Sequence, residues 1–76
     1  MKELLKTVVK PLLHHPEELQ IEESREGRKI KLEVKVDPDD MGRIIGKGGK
    51  RANAIRSVMK AKGTIDGVRI IVDIVE

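Results

Sequence analysis

Gly46-Lys47-Gly48-Gly49, preceded by Ile44-Ile45 and followed by Lys50-Arg51, combines the two things that attract a phosphate: a main chain that can be approached closely, and cations. The segment from Met41 to Lys62 carries seven basic residues (Arg43, Lys47, Lys50, Arg51, Arg56, Lys60 and Lys62) and no acidic one. The rest of the chain has nine basic and all thirteen acidic residues, so the net charge of +3 divides into +7 here and −4 elsewhere. A charge so unevenly placed is the footprint of a nucleic-acid surface.

Two other phosphate loops fail on counting. A Walker A loop needs a glycine five residues before the Gly of its Gly-Lys pair, and that position holds Met41. A dinucleotide fingerprint begun at Gly46 and Gly48 needs a third glycine where Arg51 stands, and a strand directly before it. The helix expected from Lys50 has no Ser, Thr, Asp or Asn immediately before it as a cap. Lys47, Lys50 and Arg51 crowd its positive end, where a cation is disfavoured by roughly 0.3–1 kcal/mol. A phosphate from outside would relieve both faults. The plainer reading is a tight glycine turn with lysines facing water; it explains the turn but not the missing cap.

The elements that position this loop follow from periodicity. Leu4, Leu5, Val8, Val9, Leu12 and Leu13 recur at helical spacing with Lys2, Lys6 and Lys10 opposite, which predicts an amphipathic helix from residue 2 to about 14, irregular at Pro11 and stopped by Pro16. Leu19 and Ile21, then Ile30, Leu32, Val34 and Val36, alternate with polar residues on either side of Glu26-Gly27-Arg28, as in a hairpin with one wet face. Asp37-Pro38-Asp39-Asp40 reads as the cap and acidic first turn of a helix that Gly46 ends. A further helix is expected from Lys50 to about Ala61, with Ala52, Ile55 and Met59 inward and Gly63 just past its end. Val68, Ile70, Val72 and Ile74 mark a last strand. The fold class is α+β, order α-β-β-α-α-β, a three-stranded sheet with three helices on one face. The 76 residues form one domain with a single small core.

Composition narrows the chemistry. Cysteine is absent, so there is no disulfide, thiolate ligand or thiol nucleophile, and the cytoplasm is the expected location. Charges interrupt the apolar residues near the N-terminus, which excludes a signal peptide or membrane span there. Tyr, Trp and Phe are absent, so any RNA is bound without stacking on rings. Adjacent His14 and His15 lack the further His or Cys that would complete a metal site. Ser24 and Ser57 have no nucleophile context, and Asp39 and Asp40 are accounted for by capping. No enzyme, cofactor or metal is expected.

The helix-G-x-x-G-helix unit, here Ile44-Ile45-Gly46-Lys47-Gly48-Gly49-Lys50-Arg51-Ala52, resembles the KH domain. With a helix and strand before the unit and the chain closing on its last strand, it is similar to the type II order. Length and the Val9-Lys10-Pro11-Leu12-Leu13 segment liken it to the small stand-alone bacterial KH proteins. The resemblance implies a single KH domain over residues 1–76 with its glycine loop at 46–49, holding about four nucleotides of single-stranded RNA. It also implies RNA-chaperone or post-transcriptional activity, a link to cell-shape control, and self-association or pairing with a larger KH protein. Carried onto this chain, Gly46, Lys47, Gly48 and Gly49 contact the backbone, and Lys50, Arg51 and Arg43 add attraction. Ile44, Ile45 and Ile55 are candidates for an apolar groove floor, although some of them must be core. Ala52 stands where a larger branched residue is common. Base recognition is expected near the second strand or the Gly63 to Gly67 connection. Single-stranded DNA is a further candidate ligand, since a backbone clamp needs no 2′-hydroxyl. The competing class is an assembly module, homodimeric or paired with a larger KH protein, using apolar residues such as Val58, Ile71 and Val75.

Overall fold

The computed structural model describes residues 1–75. Helix α1 (Lys2–Val9) leads through a 3₁₀ turn (Lys10–Leu12) and a second one (Pro16–Glu18) into strand β1 (Gln20–Glu26) and strand β2 (Lys29–Lys35). A 3₁₀ turn (Pro38–Asp40) opens helix α2 (Met41–Ile45). The glycine loop (Lys47–Gly49) joins it to helix α3 (Lys50–Asp66), and strand β3 (Arg69–Val75) closes the fold. Strand order is β1-β2-β3, with β1 antiparallel and β3 parallel to the central β2. This is the α+β order that the sequence pattern predicts and the type II arrangement that the KH resemblance implies.

Alternation decides which face is covered. Ile30, Leu32 and Val34 of β2 and Ile70 and Val72 of β3 are buried with Leu5, Val9, Ile44, Ile55 and Met59 of the helices. The intervening strand residues face outward. Strand β1 buries only Ile21. Its inward-facing Glu23, opposite Leu32, instead accepts a hydrogen bond from the Lys2 N–H at 3.2 Å, anchoring the start of α1.

Three boundaries differ from the sequence expectation. Pro11 ends the α-helical part of the first element at Val9, and the remaining turn is 3₁₀. Gly63 is not past the end of α3 but buried within it. A Cβ there would lie 2.7 Å from the Val68 carbonyl oxygen and 3.0 Å from Ile70 Cγ1, so the bare residue lets α3 close on β3. Helix α3 ends at Gly67, φ 71°, in the left-handed conformation.

The third difference concerns Asp40. Asp37 does cap, accepting the Asp39 N–H at 2.9 Å. Asp40 is fully buried, and its two oxygens accept the His14 and His15 N–H groups, each at 2.9 Å. It ties the turn after α1 to the entry of α2, 25 residues away in sequence. Burial alone would raise the Asp40 carboxyl, but the two N–H donors and the neighbouring histidines outweigh it and hold it below the ordinary value of 3.8. A depressed native pKa contributes stability that is complete above the unfolded value and is lost as pH falls through the native one. Asp40→Asn, which sets an amide donor against a backbone donor, is therefore expected to lower the urea midpoint at neutral pH. The gap from the wild type should narrow as the solution is acidified below 3.8; denaturation curves at stepped pH check this.

Candidate nucleic-acid interface

The glycine loop owes its shape to the junction it makes. Gly46 has φ 74° and ψ 175°, a conformation essentially closed to other residues, and a Cβ there would stand 2.6 Å from Arg51 Cβ. Gly48 also has positive φ, 64°, but its missing side chain would meet nothing within 4 Å. Gly46 is thus required by packing, whereas Gly48 leaves open space outside the loop. The Gly49 N–H returns to the Gly46 carbonyl at 3.2 Å and closes the turn.

No side chain caps α3, as the sequence predicts. The first turn of a 17-residue helix is exposed at its positive end, with Lys47 and Lys50 beside it and both free in solvent. Arg51 behaves differently. Its Nη1 donates to the Arg43 carbonyl at 2.6 Å, placing a cation on the carboxyl end of α2 and pairing a carbonyl that the short helix leaves open. Of the three cations assigned to the helix start, Arg51 therefore has a structural partner.

The three isoleucines separate by burial. Ile44 has no accessible surface and Ile55 is 3% exposed, so both belong to the core and cannot touch a ligand. Ile45 is 37% exposed beside the loop and is the one apolar side chain of the set offered outward. Ala52, like them, is core.

A groove of about 590 Å³ runs from α3 to β3, lined by Arg56, Lys60 and Thr64 on one side and by residues 68–72 on the other. Arg56 spans it, Nε donating to the Val72 carbonyl at 3.3 Å and Nη1 to Asn53 Oδ1. The sequence placed base recognition near the second strand or the Gly63 to Gly67 connection; β2 is central with both its edges taken, whereas the Gly63 to Gly67 stretch adjoins the groove at Thr64 and Val68. The wall is β3, an edge strand with one row of backbone groups unpaired in the sheet. The Gly63 to Gly67 stretch is the last turn of α3 and the start of the return. The strand order that makes β3 an edge is not written in local sequence. Ile71, considered for an assembly surface, is half-buried and lines this groove.

The histidines lie elsewhere. His15 comes near Asp37 and Asp39, the three offering ligand atoms within 4.8 Å of one another. That proximity follows from the Asp40 link, and Asp37 already uses one oxygen on the Asp39 N–H.

Residues 2–74 match the family described as KhpA/KhpB, KH domain. The chain belongs to this family. A Clostridium acetobutylicum relative is 45% identical over 75 residues, covering 99% of this chain and all of its own length. A Clostridium perfringens relative is 41% identical over the same shares, and one from Halalkalibacterium halodurans is 38% identical over the full length of both chains. Each of the three is named RNA-binding protein KhpA. The KH family is one of binding proteins, not enzymes, in keeping with the absence of any nucleophile context in the sequence.

The two glycines should separate in stability. Asparagine tolerates the left-handed region, so Gly48→Asn is expected to stay within about 1 kcal/mol of wild type. Gly46→Asn should lose roughly 1–3 kcal/mol from backbone strain and collision with Arg51. Thermal or urea unfolding of the two variants checks the order.

Proposed function

We propose that this KH protein binds single-stranded RNA, seating the sugar-phosphate backbone on the Gly46 to Gly49 loop and laying the bases along the α3–β3 groove. The observation that carries the reading is the uncapped first turn of α3, open to solvent behind a glycine loop and flanked by Lys47, Lys50 and Arg43 with no acidic residue from 41 to 62. The Gly49 and Lys50 N–H groups bond the Gly46 and Lys47 carbonyls, and beyond them the rest of the turn, the helix dipole and the cations converge on one kind of ligand, an anion. The names of the relatives support RNA as its source. Ile45 gives the first base an apolar contact. Ile44 and Ile55 hold that position from below, and the edge of β3 on either side of the Val72 carbonyl held by Arg56 offers hydrogen bonds to base edges. With no aromatic ring to stack on, affinity rests on the backbone, and selectivity on the edge strand.

The domain acts as one unit in the cytoplasm, as an RNA chaperone or post-transcriptional regulator, with cell-shape control among its consequences; family resemblance supports these roles. No described helix is long and apolar enough to cross a membrane. Fluorescence anisotropy of labelled RNA tests the clamp. Single strands should bind with log affinity falling against log salt at a slope of roughly −2 for about three neutralised phosphates. The Lys47→Asp, Gly48→Asp variant should lose binding while keeping its fold, since position 48 has open space around it. Equal binding by the variant would remove the clamp. Matched single-stranded DNA shows whether the 2′-hydroxyl matters.

A second reading, compatible with the first, is assembly through the outer face of α3. Ala54, Val58, Ala61 and Ile65 follow one another at spacings of four, three and four residues, with Val58 46% and Ile65 79% exposed. This is the seam pattern of a helix that packs on another helix. The partner is a second copy of this chain, or the larger KH protein KhpB. Val58→Asp should turn a dimer into a monomer in sedimentation equilibrium and leave the loop's RNA contacts in place; unchanged mass would sink the seam.

A further inference from the structure

The β1–β2 hairpin carries a second group of cations that the glycine loop does not account for. Arg25, Arg28, Lys29 and Lys31 surround the Gly27 turn, and Glu26 is the single acid between Arg25 and Lys31. Arg25 is turned back onto the hairpin, its Nε donating to the Gly27 carbonyl at 3.1 Å. Lys31 is paired with Glu33 at 3.3 Å. Arg28 and Lys29 are exposed and, among the described residues, have no carboxylate partner.

These two residues are joined structurally to the groove. The Arg69 N–H donates to the Arg28 carbonyl at 2.7 Å, and Lys29 stands in register with Arg69 across the parallel pair. Arg69 in turn lines the groove with Arg56 and Lys60. Arg69 alternates with the buried Ile70, so its side chain belongs to the outer face of the sheet, where the groove meets the edge of β3. A line of cations therefore leaves the glycine loop, follows α3 through Arg56 and Lys60, turns the sheet edge at Arg69 and ends at Lys29 and Arg28.

We propose that the hairpin tip is a second phosphate-binding point, so that an RNA strand held by the loop continues through the groove and round the edge of β3 to Arg28 and Lys29. The proposal rests on the RNA reading of the loop. It makes the footprint longer than the four nucleotides that a KH groove holds. Lys50 and Thr64 are 14 positions apart on α3, or about 21 Å along the helix axis. The groove therefore runs for about two Debye lengths at 0.1 M salt beyond the start of α3 before it reaches Arg69 and the hairpin. Each cationic end attracts its own phosphates, and their effects on salt dependence add.

The test is anisotropy of labelled oligouridylates of four and eight nucleotides over a salt series. It compares the wild type with Arg28→Ser/Lys29→Ser and Lys47→Asp/Gly48→Asp, all checked for folding by circular dichroism. For the eight-mer, the wild-type slope should be steeper than for the four-mer by about 1.4, the share of two further phosphates. The hairpin variant should bind the four-mer like wild type, bind the eight-mer roughly tenfold more weakly at low salt, and lose the extra slope. Additional registers on a longer RNA raise affinity for both proteins alike and cannot produce that difference. Wild-type behaviour of the hairpin variant on both lengths, or an unchanged wild-type slope, overturns the second point while leaving the loop intact. If wild type binds neither length, or the loop variant binds like wild type, the failure lies in the glycine-loop reading, and the second point falls with it.

Discussion

The fold of the interface depends on the missing side chain at Gly46. Because nothing projects there, the first turn of α3 approaches the end of α2 to a distance that any Cβ would forbid, 2.6 Å from Arg51 Cβ. That approach lets the Arg51 guanidinium reach the Arg43 carbonyl and shortens the connection to the four residues Gly46 to Gly49. A short connection leaves no chain to fold back over the start of α3. The exposed, uncapped turn is therefore a consequence of the junction and not a separate feature. The same close packing places Ile44 in the core and its neighbour Ile45 at the surface.

Electrostatic rules are obeyed on one side of this junction and broken on the other. Asp37 caps the entry to α2, and a guanidinium closes its exit, both in the sense the helix dipole favours. At α3 the dipole meets only cations. The imbalance costs about 0.3–1 kcal/mol per charge at most. A domain held by a core reaching from Leu5 to Val72 can carry it. Asp40 contributes rigidity from the far side by binding the turn after α1 to the start of α2, so the loop is mounted on elements drawn from both halves of the chain.

Most of the fold was legible because local signals and tertiary contacts agree. Helical and alternating periods mark five of the six elements, capping residues mark the helix before the glycine loop, and the loop stands out through its neighbours. The departures share a cause. Gly63 reads locally as a stop, since glycine is about 1 kcal/mol poorer than alanine in a helix, yet it is retained inside α3 because the Val68 carbonyl oxygen lies 2.7 Å, and Ile70 of β3 3.0 Å, from where its Cβ would be. Asp40 reads as a first-turn acid, and its use as an acceptor for His14 and His15 depends on contacts across 25 and 26 residues. Ile44, Ile45 and Ile55 cannot be sorted into core and groove from type alone, because burial depends on which way each helix faces. The second strand and the Gly63 to Gly67 connection could not be told apart as groove neighbours for a like reason: strand order, which leaves β3 and not β2 with a free edge, is a property of the assembled sheet.

Helix α3 shows how one element can serve several surfaces. At 3.6 residues per turn, Ala52, Ile55, Met59 and Gly63 form the core face, and Arg56, Lys60 and Thr64 lie beside it along the groove. Ala54, Val58, Ala61 and Ile65 fall on a third face, roughly 130° from the groove on an ideal helical wheel. A strand of RNA in the groove and a helix packed on the third face would not compete for the same surface. Two domains joined through that face would carry two grooves into one particle. A modest site of a few nucleotides would then gain affinity by linkage, with no new contact in either groove. The absence of stacking aromatics gives such pairing a physical motive, since a single groove would rely on charge, edge hydrogen bonds and the Ile45 side chain.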